Sequence, residues 1–198
     1  MKIAVIGVDP ALRNMGFAHG IYDTETGEVE ITNLVLAQTE ATDKKTAKVL
    51  RKNSDDLARA TILFEAMQNE TKNSVFAFIE VPVGSQSSRA MASYGICVGV
   101  IASCPIPYFQ LTPSEVKLIA TGSKNASKEE MIVWATEKYP KANWLKRKLK
   151  GEMVLMNDNE HLADAVAAIH AGINGSEFKQ AIAMFSAISS NKVSANGN

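Results

Sequence analysis

The sequence predicts a mixed α/β domain, a β-sheet with helices packed against it, and three observations carry that expectation. The chain has 198 residues, 46% of them hydrophobic, which suits one domain with a substantial core. Short apolar, β-rich runs and helical periodicities follow in the order three strands, helix, strand, helix, strand, then helices. No linker or break of composition interrupts residues 1–188, so a single domain is expected there, followed by a disordered polar tail over 189–198.

Taken in order, residues 2–8 (KIAVIGV) read as a buried strand that Asp9-Pro10 ends. Residues 16–22 form a second strand, a turn falls at Asp23–Gly27, and a third strand lies near 28–36. From Thr46 to about Thr71, the spacing of Leu50, Leu57, Thr61, Phe64 and Met67 is helical and assigns them the inner face. Val75–Glu80 is a short apolar strand ending on a carboxylate. The Pro/Gly/Ser-rich stretch Val81–Ser88 is a loop. Residues 89–103, rich in Ala, Met, Gly and Val, read as a buried helix, and 106–111 as another strand. Thr112-Pro113-Ser114-Glu115 is a helix start, with a hydroxyl cap, Pro at the first position and Glu at the third; Ser127 opens a second helix in the same style. Lys141–Gly151 is a basic loop or short helix, 159–172 an Ala-rich helix, and 176–188 one more.

Charge balance is neutral overall but uneven. Residues 112–150 hold nine Lys/Arg against four Asp/Glu, whereas the rest hold twelve against seventeen. That asymmetry suits a protein that meets phosphates with one surface and metal ions with another; a solvated lysine-rich helix is the plain alternative. Cys97 and Cys104 lack a second pair or a nearby His and are read as buried free thiols of a reducing cytosol, with a disulfide or a zinc site as the alternative. No apolar run reaches the roughly 18 residues of a membrane span, and MKIAVIGVDP reads as a strand rather than a signal peptide.

Three carboxylates stand where chemistry is done: Asp9 after the first strand, Glu80 at the end of another, and Asp164 early in the Ala-rich helix. Hard divalent cations require such oxygen ligands, and a cation pair can clamp both oxygens of an in-line phosphoryl displacement. Each also has an ordinary reading, a turn before Pro or a helix-end charge.

The segment Gly7-Val8-Asp9-Pro10-Ala11-Leu12-Arg13-Asn14-Met15-Gly16 resembles the opening of the RuvC-type Holliday-junction resolvases, G-[IV]-D-P-x-x-R-x-x-G. Phe78-Ile79-Glu80 resembles that family's second acidic strand. Glu115-Val116-Lys117 through Gly122 to Ser127-Lys128 resembles its paired lysines, and His161-Leu162-Ala163-Asp164-Ala165 its C-terminal acidic helix in an H-x-x-D-A form. The four blocks stand in the family's order. The resemblance implies an RNase H-like fold, with a central mixed five-stranded sheet flanked by helices. It implies Asp9, Glu80, His161 and Asp164 as metal ligands, and Lys117 and Lys128 as phosphate-contacting members of the same catalytic set. Two Mg²⁺ ions per site are expected, with Mn²⁺ as a substitute. The implied partner is branched DNA, a four-way junction nicked symmetrically by a homodimer to leave 5′-phosphate and 3′-hydroxyl ends, with no membrane involved and in the cytoplasm. The helix at 89–103 is the candidate dimer surface.

His161 departs from the all-carboxylate pattern, although i, i+3 spacing sets it on the face of Asp164; the alternatives are a helix-capping His or one that positions a water, with Glu160 or Asp158 as the ligand instead. Arg13 is expected to hold a neighbouring loop or a backbone phosphate. Lys146, Arg147 and Lys148 are expected to grip a DNA arm, with Trp144 either stacking on a base or packed inside. Val81-Pro82-Val83 carries no aromatic where such enzymes have one. Three rivals stay open: a less specific fork or flap nuclease of the same fold, an ATPase-like fold that also opens on a strand-end Asp, and a catalytically inactive DNA-binding relative.

Overall fold

The computed structural model describes residues 1–39, 52–84 and 86–195. Strands β1 (Lys2–Pro10), β2 (Asn14–Asp23) and β3 (Val29–Gln38) form an antiparallel meander. Strands β4 (Phe76–Glu80) and β5 (Tyr108–Leu111) extend it in parallel with β1, giving the order β3-β2-β1-β4-β5. Helix α1 (Lys52–Thr71) and α2 (Ser88–Ala102) cover one face. On the other face α5 (Asn159–Asn174) lies across the sheet, with α3 (Pro113–Thr121) and α4 (Lys128–Lys138) packed against it and α6 (Ser176–Ala195) alongside. Among the described residues, no helix is long and apolar enough to cross a membrane.

Strand parity sorts the two cores. Ile6 and Val8 of β1 and Ala77 and Ile79 of β4 pack under α1 and α2, whereas Ile3, Val5, Phe76 and Phe78 pack under α5. Helix α5 is Ala-rich because it is enclosed on nearly all sides, Leu162, Ala163 and Ala165–Ile169 being fully buried. Its approach to the sheet depends on glycine. A Cβ on Gly7 would sit 1.9 Å from the Ala165 carbonyl oxygen, and one on Gly16 would sit 2.1 Å from that of His161.

The helix starts are as the sequence predicts: Thr112 and Ser127 each accept from the backbone N–H three residues on, and Glu115 and Glu130 return the bond. Cys97 and Cys104 are free thiols, Cys97 buried as expected and Cys104 only partly so.

Several expectations are corrected. Helix α1 is rotated from its predicted orientation: Leu63, Met67 and Thr71 are fully buried, while Leu57 is 69% and Phe64 46% exposed. The inner stripe begins at Arg59, whose guanidinium donates to Thr39 and Asp55, so a charged residue marks the buried face. Residues 46–51, including Leu50, lie outside the described residues. Helix α2 is not a buried helix; only Cys97, Val100 and Ile101 are enclosed, and Met91, Ala92, Gly95 and Gly99 face outward. The stretch read as a basic loop or short helix is an antiparallel ribbon, β6 (Lys146–Leu149) and β7 (Glu152–Leu155). Lys150 and Gly151, both at positive φ, make its two-residue turn. Helix α6 continues to Ala195, past the predicted end at 188, because no Gly or Pro interrupts 176–195; residues 196–198 are outside the described part.

Candidate active site

Parity and parallel pairing bring the carboxylates together. Asp9 follows Ile3, Val5 and Gly7 on the α5 side of β1, and Glu80 follows Phe76 and Phe78 on the α5 side of β4. With Val8 registered against Ile79, the two acids end neighbouring parallel strands. Asp164 and His161 come down from α5 one helical turn apart. The His161 Nδ1–H donates to Asp9 Oδ2 at 2.6 Å, tying helix to strand. These four residues line one cleft of about 270 Å³ together with Lys117, Lys128 and Glu160. A larger hollow of about 560 Å³, around Tyr139 and His170, contains Glu28 as its one carboxylate and has no part in this cluster.

Burial and like charges crowd the acids of the cleft. Burial, then the charges of Asp9 and Asp164, push the Glu80 carboxyl up to about 9 despite Lys117. Burial and Asp9 push Asp164 up to about 7 against His161 and Lys117. Burial favours neutral His161, but the Asp9 hydrogen bond and the charges of Asp9, Glu160 and Asp164 outweigh it and raise its pKa. Asp164 Oδ1 is buried with no hydrogen-bond partner. An unpartnered acceptor among crowded carboxylates fits a divalent cation, and oxygen plus imidazole donors are an ordinary set for one. As arranged, among the described residues, no three His, Cys, Asp or Glu side chains form a group that could hold an ion. The direct His161–Asp9 bond turns the imidazole Nδ1 and one Asp9 oxygen toward each other. The donor chemistry fits the ion.

These shifts have a consequence for stability. The folded chain holds protons on Glu80 and Asp164 up to about 9 and 7, whereas the unfolded chain releases them near 4.5 and 3.8. Between those limits the native state binds more protons than the unfolded state, so stability falls as pH rises; the raised His161 acts in the same direction. In metal-free buffer, the urea midpoint is expected to drop from about pH 5 to about pH 8, Glu80→Gln should flatten the drop, and Mg²⁺ should offset it. A midpoint that climbs over this range would contradict the crowded-carboxylate reading.

The lysines and the basic run divide. Lys117 on α3 is half-buried at the cleft and close enough to lower both Glu80 and Asp164. Lys128, at the start of α4, is largely exposed, and its Nζ bonds Glu160 at 2.6 Å on the cleft rim. Glu160 also stands 3.4 Å from His161 Nε2, whereas Asp158 precedes the helix away from the cleft lining. Arg13 is exposed in the β1–β2 turn, and Lys146, Arg147 and Lys148 are exposed on β6. Of the two readings of Trp144, the structure has the packed one: it is 6% exposed and its indole N–H donates to the Tyr139 carbonyl, so it presents no ring for stacking.

Sequence reasoning missed Asn159. Fully buried, it accepts from Leu145 N–H and donates to the Leu145 and Met156 carbonyls, at 2.8–2.9 Å. Its signal, a polar residue two before His161, is indistinguishable in sequence from a helix cap. Asn159→Ala strands buried backbone groups and should cost about 3 kcal/mol in urea unfolding; a loss under about 1 kcal/mol would mean that water replaces the clamp.

No family model matches the chain, and no curated protein sequence matches it. Among solved structures, it is similar to Thermus thermophilus RuvC. The chain of T. thermophilus RuvC in complex with a Holliday-junction substrate matches at TM-score 0.53 and 16% identity, over 85% of this chain and 91% of that one. A second structure of T. thermophilus RuvC matches at TM-score 0.50 and 16% identity, over 85% and 92%. The likeness shows the fold, the RNase H-like α/β arrangement with a mixed five-stranded sheet that the sequence predicts.

Proposed function

We propose that this chain is a crossover-junction endodeoxyribonuclease, a hydrolase that nicks four-way DNA junctions. The observation that carries the reading is the convergence of Asp9, Glu80 and Asp164, with the orphaned Asp164 Oδ1, beside Lys117 and Lys128 in one cleft. The solved structure with this fold that holds a Holliday-junction substrate supports the choice of substrate. Asp9, Glu80, His161 and Asp164 are the residues that would hold divalent cations, two Mg²⁺ with Mn²⁺ as a substitute; those ions would supply the positive charge that activates water and steadies the departing oxygen.

The chain's own groups do the rest. Crowded carboxylates repel a phosphodiester at close range, so cations in the cleft would let the scissile phosphate seat against Asp9, Glu80 and Asp164. Lys117, already facing Glu80 and Asp164, neutralises the scissile phosphate as negative charge grows in the transition state. Lys128 reaches the same phosphate by exchanging its Glu160 partner, and Glu160 keeps it at the rim until then. Arg13, exposed beside β1, contacts a flanking backbone phosphate. The products carry 5′-phosphate and 3′-hydroxyl ends. A homodimer matches the two equivalent strands of a junction, and the outward face of α2 is its proposed seam.

The test compares nicking of a synthetic mobile four-way junction, a flap and a linear duplex, in Mg²⁺ and in Mn²⁺. Paired symmetric nicks on the junction alone are expected. Equal cutting of every branched substrate would favour the less specific nuclease, a reading helped by the loop after Glu80, which presents the exposed Val83 and no aromatic. Tight junction binding without cutting in either metal would reduce the chain to an inactive DNA-binding relative.

A further inference from the structure

Ribbon β6–β7 is an irregular thing for a small domain to carry. Of its eight strand residues, seven are exposed and Val154 is intermediate, so neither face packs on the body. Two-stranded ribbons without a supporting surface are marginal in water. This one also leaves Leu149, Met153 and Leu155 exposed, at 48%, 63% and 40%. Register fixes its faces. Lys146 pairs with Leu155 and Lys148 with Met153 on one side; Arg147 pairs with Val154 and Leu149 with Glu152 on the other. Between Lys141 and Leu155, five basic residues stand against the single acid Glu152.

The base of the ribbon is rigid where its tip is free. Asn159 clasps Leu145 and Met156, the residues flanking the two strands, from the first turn of α5. Asn143 clasps both backbone groups of Leu34 on β3. The ribbon is thereby fixed to the helix that carries His161 and Asp164, with Met156 only a few residues from them.

We propose that β6–β7 is a groove-entering arm that holds a duplex segment of DNA beside the cleft, Lys146 and Lys148 lying on its phosphates and Met153 and Leu155, from the same face, against sugars and base edges. A two-stranded ribbon fits the major groove in width, and the charge excess is complementary to a polyanion. Lysines along β6 also disfavour edge pairing with a second ribbon, which argues against self-association there. The inference rests on the proposed DNA substrate. It adds that the enzyme senses a duplex arm at a set position from the reaction centre.

The experiment measures affinity for a four-way junction and for a linear duplex across a salt series in metal-free buffer, where no cutting intervenes. The variants are Lys146→Glu/Lys148→Glu and the charge-preserving Lys146→Arg/Lys148→Arg, each checked for a native-like melting profile. The charge-reversed protein should lose at least about tenfold in affinity, and the slope of log K against log salt should shrink by about two, since each phosphate contact contributes roughly −0.9. The arginine variant should bind like the native chain. Unchanged affinity and slope in the reversed variant would overturn the arm, as would a change confined to the sedimentation of the free protein, which would make the ribbon a self-association surface. Nicking separates the two ideas: a native chain that cuts junctions while the reversed variant binds normally sinks the arm alone. A chain whose ribbon carries binding but which never cuts keeps the arm and loses the nuclease.

Discussion

Asp9→Asn is expected to lower junction nicking by about 10³-fold or more while leaving junction binding in place, in line with the loss of a central group in a charge-stabilised site. Asp9 is the hub of the cleft. It takes the His161 hydrogen bond at 2.6 Å, and its charge is the second largest cause of the raised pKa at both Glu80 and Asp164. Asparagine is nearly the same size, so the fold survives, but it removes the anion that ties the cluster together and halves the anionic ligands on the sheet. The substitution should therefore bring Glu80 and Asp164 back toward ordinary carboxylate behaviour, visible as a downward shift of their titrations in the infrared carboxyl region. Residual nicking above about a tenth of the native rate would remove Asp9, and with it the metal reading, from the chemistry. The same variant should flatten the fall of metal-free stability with pH, because fewer like charges then oppose ionisation.

Much of this site is legible in the sequence because a strand has period two. Ile3, Val5, Gly7 and Asp9 must share a side, as must Phe76, Phe78 and Glu80, so two buried strands that end on acids present them together once they pair in parallel. The i, i+3 spacing likewise puts His161 and Asp164 on one face of α5. What the sequence hid is of a different kind. The inner face of α1 is marked by Arg59, which only its bonds to Thr39 and Asp55 make compatible with burial. Trp144 sits among lysines in sequence yet inside the core in space, because its neighbours Ala142 and Leu145 turn inward with it while the charges continue along the ribbon. The ribbon itself turns on Lys150-Gly151, a weaker signal than Asn-Gly, between a first strand too charged to read as one and a second of only four residues. Long-range partners decide each of these cases, and local pattern does not record them.

Gly7→Ala should be among the most damaging single methyls in the described residues, and the reason joins fold to function. The added Cβ would lie 1.9 Å from the Ala165 carbonyl oxygen and 2.9 Å from Ile169 Cγ1. The nearer obstacle is helix backbone, so no rotamer change relieves it, and α5 must move off the sheet. Overpacking usually costs about 1–3 kcal/mol where side chains can adjust; here the expected loss in urea unfolding is about 3 kcal/mol or more. Gly16→Ala meets the His161 carbonyl at 2.1 Å and should behave alike at the other end of the contact. Both movements carry Asp164 and His161 away from Asp9, so nicking should fall further than the unfolded fraction accounts for, when rates are compared at temperatures where each variant is fully folded. Wild-type stability in Gly7→Ala would show that α5 does not lie against β1 as described. Wild-type stability lost without extra loss of nicking would show that the distance between helix and strand does not set the chemistry. The two glycines of the G-V-D-P-x-x-R-x-x-G segment would then be there for packing alone, whereas the geometry gives them the task of holding the fourth candidate ligand within hydrogen-bond reach of the first.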